Sequence, residues 1–523
     1  MEEIRGKFEQ IRERLKALPQ PCGDEAILSI VTSQSDEWNA LLSKAEGKTP
    51  GEILDALKPL PLETDAAEQL YLIFLYSFML KLSADGAYAE KLCQLACGPF
   101  FGKDQRLFLY HQLKRFYFTH AGASYAPTMQ RLYDDVVKEW MRDLGNILRP
   151  IPEGERDPGK IVVVTLQFLG AAHAPTKTAM ERIHTLGKLM GKEVICINSR
   201  EQLTLKGVLP FCGISARDVA KEYDGVNIMQ RGDYGFPLIQ PEVEMPDEEM
   251  VRMLLEEIRN MAPWMVVVCG DKCLLGDLCA RMIPTICIPM VFSSIPKKKH
   301  QYVAVGRTLS SLDKEKLAAK GYDPETVIES VFTFEPIPQT TTLTREALGL
   351  PKDKFLLGVI GIRLDADVTE EFVKIMLSCA DAGIHLVFAG RFDRYEELCA
   401  TLEGFRENST FVGYQKDILA LWDVLDLYVN PPRVGGGFSV AEAFSKGKPG
   451  ISMNWGDVAA SAGPDFCVGS LEDYPDLIRR YATDRDFYAV MSKKAVERSR
   501  RLFDSKGEME KILAEAKMRK LWF

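Results

Sequence analysis

Leu427–Asn454 reads LYVNPPRVGGGFSVAEAFSKGKPGISMN, in the order strand, Pro-Pro turn, glycine loop, helix, short turn, strand. Gly435, Gly436 and Gly437 let the backbone take positive φ and approach a ligand closely. Ser439 is placed to open a helix from about Val440 to Ser445, capping it and reaching a phosphate oxygen. A helix N-terminus offers unpaired N–H groups and the positive end of a dipole, so loop and helix together suit a diphosphate. Glu442, on that helix, can accept hydrogen bonds from both hydroxyls of a ribose. Alone, the three glycines also fit a flexible turn before an ordinary N-cap. Neither G-x-x-x-x-G-K-[ST] nor G-x-G-x-x-G is present, which excludes a P-loop and a dinucleotide fingerprint.

Outward from this stretch, short apolar runs alternate with helical periodicity. Strands are predicted at 355–360, 385–389, 410–412, 425–429 and 450–453, with helices at 369–382 and 418–425 between them. A second alternating region holds predicted strands at 161–164, 194–197, 264–269 and 285–289. Continuous apolar strands between helices predict parallel sheets covered on both faces. Before residue 150 the texture is helical. Ile4, Phe8, Ile11, Leu15 and Leu18 recur at 4-3-4-3 spacing, and Pro19 and Pro21 stop that helix. The aromatics Phe108, Tyr110, Phe116, Tyr117 and Phe118 read as core. Pro- and Gly-containing breaks at 147–160 and 334–349 divide the chain. The expected class is α/β, two Rossmann-like units preceded by an all-α domain. The expected domains are 1–157, 158–338 and 339–500, with 501–523 a C-terminal helix reaching back to the first α/β unit.

The 523 residues carry 65 basic and 74 acidic side chains, a net charge of -9, with 46% hydrophobic residues. This balance fits a folded chain of about three domains and disfavours nucleic acid as partner. The longest apolar stretch, Leu70–Leu82, contains Lys81 and falls short of the ~18 residues of a membrane span. No apolar leader follows the charged N-terminus, so a cytoplasmic location is expected. The twelve cysteines are scattered and read as reduced core residues. Cys269 and Cys273 lack a second ligand pair at zinc spacing, and no metal or cofactor is expected.

The signature stretch resembles the nucleotide-binding segment of GT-B glycosyltransferases, above all the retaining family 4 type. GGGFSVAEAFSKGKP follows the family order of glycine loop, Glu-Ala helix and small-Gly-x-Pro turn. VIGIRL at Val359–Leu364 resembles the first strand and Arg-Leu turn of the donor domain, and LVFAGR at Leu386–Arg391 its second strand. TFVGYQKDILALWDVLDLYVNPP at Thr410–Pro432 resembles the segment that cradles the base. The resemblance implies two Rossmann-like domains facing a cleft and metal-independent transfer from a nucleotide-sugar, with retention. It places Arg363 at the diphosphate, Gly413 and Tyr414 near the base and Asp457 near the donor sugar. Two family features are absent. Val434 stands where an acidic residue is usual, and DADVTEE after Leu364 lacks the usual lysine. Arg391 and Arg433 are the candidate substitutes, since guanidinium holds phosphate oxygens bidentately. As surface salt-bridge residues they would read equally simply.

In the first α/β unit, TLQFLGAAHAPTKTAMERIH leaves the carboxyl end of a strand, where open parallel sheets bind ligands. His173 lies in this loop as the candidate catalytic residue, or as a loop histidine, and Thr176 can cap the following helix. PKKKHQY at 296–302 reads as a solvated charge run. The expected activity is hexosyl transfer from a nucleotide-sugar to a glycan, lipid-linked or protein acceptor, with homo-oligomerisation through the helical domain as an option. The rivals are an inactive partner subunit, a protein glycosyltransferase docking its polypeptide on the helical domain, and a nucleotide-sugar epimerase.

Overall fold

In the computed structural model, residues 2–17, 35–45, 47–57, 66–98, 100–119, 127–166, 168–170, 173–201, 223–291, 295–298 and 300–519 are described. The helix stop at Pro19 and Pro21, residues 121–126, Lys299 and the end of the last helix at 520–521 lie outside them. The helical region comprises α1 (Glu2–Lys16), α2 (Ser35–Ala45), α3 (Pro50–Leu57), α4 (Ala66–Ser83), α5 (Gly86–Ala96), α6 (Lys103–Thr119) and α7 (Pro127–Asp143). There follow β1 (Asp157–Thr165), α8 (Ala174–His184), β2 (Glu193–Asn198), β3 (Ile228–Arg231), β4 (Tyr234–Ile239), α9 (Glu248–Met261), β5 (Pro263–Cys269), α10 (Leu274–Cys279), β6 (Thr285–Ile288), β7 (Tyr302–Val305), α11 (Ser311–Ala318) and β8 (Val327–Glu329). The remainder holds β9 (Phe355–Gly361), α12 (Leu364–Asp367), α13 (Glu370–Leu377), β10 (Ile384–Gly390), α14 (Tyr395–Thr401), β11 (Ser409–Phe411), α15 (Ile418–Val424), β12 (Leu427–Val429), α16 (Gly437–Ser445), β13 (Gly450–Met453), α17 (Gly456–Ala462), β14 (Cys467–Val468), α18 (Tyr474–Thr483), α19 (Arg485–Leu502) and α20 (Ser505–Met518).

The chain divides into two compact units, residues 1–177 with 193–285, and residues 178–192 with 286–523. In the first, β1 is the buried centre and pairs in parallel with β2 and β5, through Val163↔Cys196 and Val163↔Val267. β2 pairs in parallel with β4, and β3 closes the edge antiparallel to β4. The stripe Ile4, Phe8, Ile11 and Leu15 is buried, as are Phe108, Tyr110, Phe116 and Tyr117. The helical region was expected to stand as a separate domain ending at 157. Instead one apolar cluster runs from Ile4 through Trp140 to the strands and to Leu274, Leu275 and Leu278 of α10. Polar ties cross the same seam: Tyr133 Oη donates to Asp277 Oδ2 (2.7 Å) and Lys272 Nζ to Gln130 Oε1 (2.7 Å). An amphipathic helix pays for its ordering by burying its apolar face, and here that face is buried on α/β elements.

The second unit holds a six-stranded sheet, ordered β11-β10-β9-β12-β13-β14, whose pairs are all parallel. It also includes β7 and β8, parallel to each other, so the contact boundaries differ from those expected near 338 and 500. α20 lies against β8, with Lys511 Nζ donating to Glu329 O (3.1 Å) and Arg519 Nη1 to Val327 O (2.8 Å). Arg182 is buried beside Glu181 (2.7 Å) and bonds the Thr333 hydroxyl, tying α8 to the segment after β8. No helix among the described residues is long and apolar enough to cross a membrane.

Candidate functional site

Because β9 to β13 run parallel, the loops leaving their carboxyl ends gather along one edge of the second unit's sheet. Backbone bonds lace that edge together. Gly390 N donates to Gly413 O (2.9 Å), Arg391 N to Gly361 O (3.1 Å) and Leu364 N to Arg391 O (3.2 Å). Gly390 is the tightest point: its φ is +131°, and a Cβ there would stand 1.7 Å from Gly361 O. Only glycine permits this approach, and it brings the roots of Arg363, Arg391 and Tyr414 side by side.

The glycine loop leaves β12 on the same edge. Gly436, at φ +113°, is the N-cap of the nine-residue α16, and no side chain caps it. Ser439 was expected to open this helix; it lies instead in the first turn, because the helix starts two residues earlier, at Gly437. A helix end left open in this way offers unpaired first-turn N–H groups and the positive end of the helix dipole. Glu442 is buried in the second turn of α16.

The three arginines part company. Arg391 is well exposed, with Asp393 at 3.0 Å, and Arg363 is half-exposed, with Asp367 at 3.9 Å. Such surface pairs are weak and yield readily to a better anion. Arg433, expected on the diphosphate, is only 8% exposed and turns into the protein. Its Nε donates to Asn430 Oδ1 (2.8 Å), Nη1 to Asp367 Oδ2 (3.1 Å), and Nη2 to Ile360 O (2.7 Å) and Tyr428 Oη (3.3 Å). Burial works against its charge, but Tyr428 and Asp367 outweigh that and raise its pKa above the ordinary range. Arg433 is therefore a brace beneath the loop, joining the ends of β9 and β12.

In the first unit, His173 immediately precedes α8, which starts at Ala174. Thr176 is inside the helix, and its hydroxyl donates to Leu169 O (3.0 Å) while accepting from Leu169 N (2.9 Å). With that proton committed, His173 Nδ1 donates to Thr176 Oγ1 (3.1 Å), which leaves Nε2 unprotonated. Burial holds the imidazole pKa below its usual value, so the ring is neutral at neutral pH. Cys273, read from the sequence as a core residue, is the buried N-cap of α10: its Sγ accepts from Gly276 N (3.4 Å) and donates to Glu201 Oε1 (3.7 Å). Among the described residues no three His, Cys, Asp or Glu side chains gather in a metal-binding group.

The same edge shows residues that sequence reading passed over. Ile362 (70% exposed), Tyr414 (70%), Val434 (49%) and Trp455 (43%) are large apolar side chains left in solvent after β9, β11, β12 and β13. Tyr414 was expected near the base and Val434 was noted only as a missing acid; Ile362 and Trp455 carry no motif signal. Asp457, expected at the donor sugar, is buried in the first turn of α17, and its amide donates to Val434 O (2.6 Å).

Residues 363–483 match the family model described as Glycosyl transferases group 1. No curated protein matches the chain. Among solved structures, it is similar to a glycosyltransferase from Rickettsia africae ESF-5, at 14% identity over 70% of this chain and 100% of that one, with a TM-score of 0.50. It is also similar to a mutant of Thermobaculum terrenum O-GlcNAc transferase, at 14% identity over 99% of this chain and 98% of that one, with a TM-score of 0.51.

Proposed function

Since the chain is a glycosyltransferase of the GT-B fold, carrying a group 1 glycosyl transferase domain at 363–483, we propose that its donor is a nucleotide-sugar held along the carboxyl edge of β9–β13. One observation carries this reading: α16 presents an uncapped N-terminus behind Gly436, on the edge from which Arg363 and Arg391 also emerge. The amides and two guanidiniums receive the diphosphate and stabilise the charge that grows on it as the glycosidic bond breaks. Glu442 accepts from the ribose hydroxyls, and Gly413 with Tyr414 borders the base. Titration calorimetry with UDP, GDP and ADP tests the reading. One of them is expected to bind, and Glu442→Gln, which keeps the side-chain volume, is expected to weaken it at least ~10-fold, the scale of one charge-assisted hydrogen bond. Silence from all three nucleotides would sink the assignment.

The acceptor is a hydroxyl of a glycan, lipid-linked or protein substrate, transferred to with retention, so that the leaving phosphate takes the proton. His173 Nε2 orients that hydroxyl. His173→Ala is expected to lower kcat about 10²-fold, the scale of a misplaced reacting group, with nucleotide affinity unchanged. Because burial lowers the imidazole pKa, the active neutral ring persists below its ordinary value of 6.5, and the acid limb of kcat falls below that pH. A limb above 6.5, or one kept by His173→Ala, would remove His173 from the mechanism. NMR of the product's anomeric configuration checks retention; an inverted product would make His173 the base.

A further inference from the structure

The loops after β9 and β10 stay paired beyond the ends of their strands. Gly361 O accepts from Arg391 N (3.1 Å), and Arg391 O accepts from Leu364 N (3.2 Å). The next rung is made by a side chain. Asp365 Oδ1 accepts from Arg394 N (2.7 Å), and Asp365 O accepts from Arg394 Nη1 (3.2 Å). Arg394 is the N-cap residue of α14, where its own side chain makes no capping bond. Asp365, half-buried in α12, thus fixes the point at which the loop after β10 becomes helix. The Gly361–Arg391 and Asp365–Arg394 rungs bracket the two segments that carry Arg363 and Arg391. The stretch 365–371, which lacks the family's lysine, therefore supplies two carboxylates to this edge: Asp367 to Arg433 (3.1 Å) and Asp365 to the Arg394 amide.

We propose that Asp365 is a positioning residue for the donor, holding Arg363 and Arg391 at the spacing that lets two guanidiniums receive one diphosphate. This rests on the nucleotide-sugar reading above. Arg391 is well exposed and meets Asp393 at 3.0 Å, so its placement depends on its backbone and not on packing. Paired guanidiniums grip phosphate oxygens only within narrow limits of distance and angle, and those limits are kept by the groups behind them. The backbone rungs near Gly361 set one end of the loop pair, and Asp365 sets the other. Its Oδ1 is committed to the Arg394 amide, so it acts through the loop and not by contact with the donor. An asparagine would keep that acceptor oxygen, whereas an alanine would leave the loop after β10 to swing away from α12 and carry Arg391 with it.

The test uses the intact chain and whichever of UDP, GDP and ADP binds it, together with the monophosphate of the same base. The diphosphate engages both guanidiniums and the monophosphate one. In titration calorimetry, Asp365→Ala is expected to weaken the diphosphate about 10-fold, the scale of one charge-assisted hydrogen bond, and the monophosphate by less than about twofold. Asp365→Asn is expected to keep the ratio of the two affinities within about threefold of that of the unmodified protein. In an Arg391→Met background, Asp365→Ala should weaken the diphosphate by less than about a further twofold, because its effect passes through Arg391. Thermal unfolding of each variant serves as the folding control. Equal weakening of diphosphate and monophosphate by Asp365→Ala would show a merely structural role. An unchanged diphosphate affinity in that variant, or full additivity with Arg391→Met, would also overturn the proposal. If UDP, GDP and ADP all fail to bind the unmodified protein, the nucleotide-sugar reading itself falls and takes this inference with it.

Discussion

Replacing Arg433 with methionine is expected to destabilise the second unit by about 3–5 kcal/mol, the cost of removing one partner from a buried ion pair. Methionine fills most of the space but takes a donor from the Asp367 carboxylate, Ile360 O and Tyr428 Oη, while Asn430 Oδ1 keeps the Tyr428 hydroxyl as donor (3.0 Å). Asp367 is the costliest, since its side chain is only 11% exposed and Arg433 is its nearer guanidinium. Adding Asp367→Asn to the methionine variant should therefore recover part of the loss, a non-additivity that marks a coupled pair. Arg391→Met, at an exposed position, is expected to change stability by less than about 0.5 kcal/mol while weakening nucleotide binding. Urea unfolding measures all four proteins. A loss under about 1 kcal/mol for Arg433→Met would mean that Arg433 is not the brace described here.

Gly390→Ala is expected to cost about 3 kcal/mol or more, and nucleotide binding with it. Holding alanine in a glycine-only region of φ costs ~1–3 kcal/mol by itself. The new Cβ would also meet Gly361 O at 1.7 Å, so β9 and β10 must part at their carboxyl ends. That separation breaks the bond from Arg391 N to Gly361 O and displaces the roots of Arg363 and Arg391 together. Gly383→Ala is the control: φ is +70° there, but a Cβ meets nothing within 4 Å. It should cost only about 1 kcal/mol and leave nucleotide affinity unchanged. Equal effects at Gly383 and Gly390 would show that backbone strain alone, and not the strand junction, sets the cost.

Much of the architecture could be read from local pattern. The apolar runs at 161–164, 194–197, 264–269, 355–360 and 385–389 are β1, β2, β5, β9 and β10, because a parallel strand buried on both faces needs an unbroken apolar run. The β3–β4 hairpin escaped notice because β3 is largely solvent-facing and has no such run, and β7, β8 and β14 are too short to show a period. The site was legible where it rests on backbone chemistry. Gly435–Gly437 and Glu442 are found in the loop and helix that the motif implied, with the helix start moved from Ser439 to Gly437 by the αL conformation of Gly436.

The sequence by itself determined the alternation of strands and helices, the glycine loop before α16 and the group 1 signature around it, because each depends on neighbours a few residues apart. Only the tertiary structure decided which way the arginines face. Arg433 and Asp367 are 66 residues apart, and they meet because β9 and β12 are adjacent in the sheet. That adjacency turns an expected phosphate ligand into a buried brace and leaves Arg363 and Arg391 at the surface. It also decided that the helical region shares one core with the first sheet, since an apolar helix face does not say in sequence what will cover it. Finally, it brought Val434 and Trp455, 21 positions apart in the chain, to one locked junction, where hydrogen bonding between two loops holds apolar side chains in water beside the glycine loop.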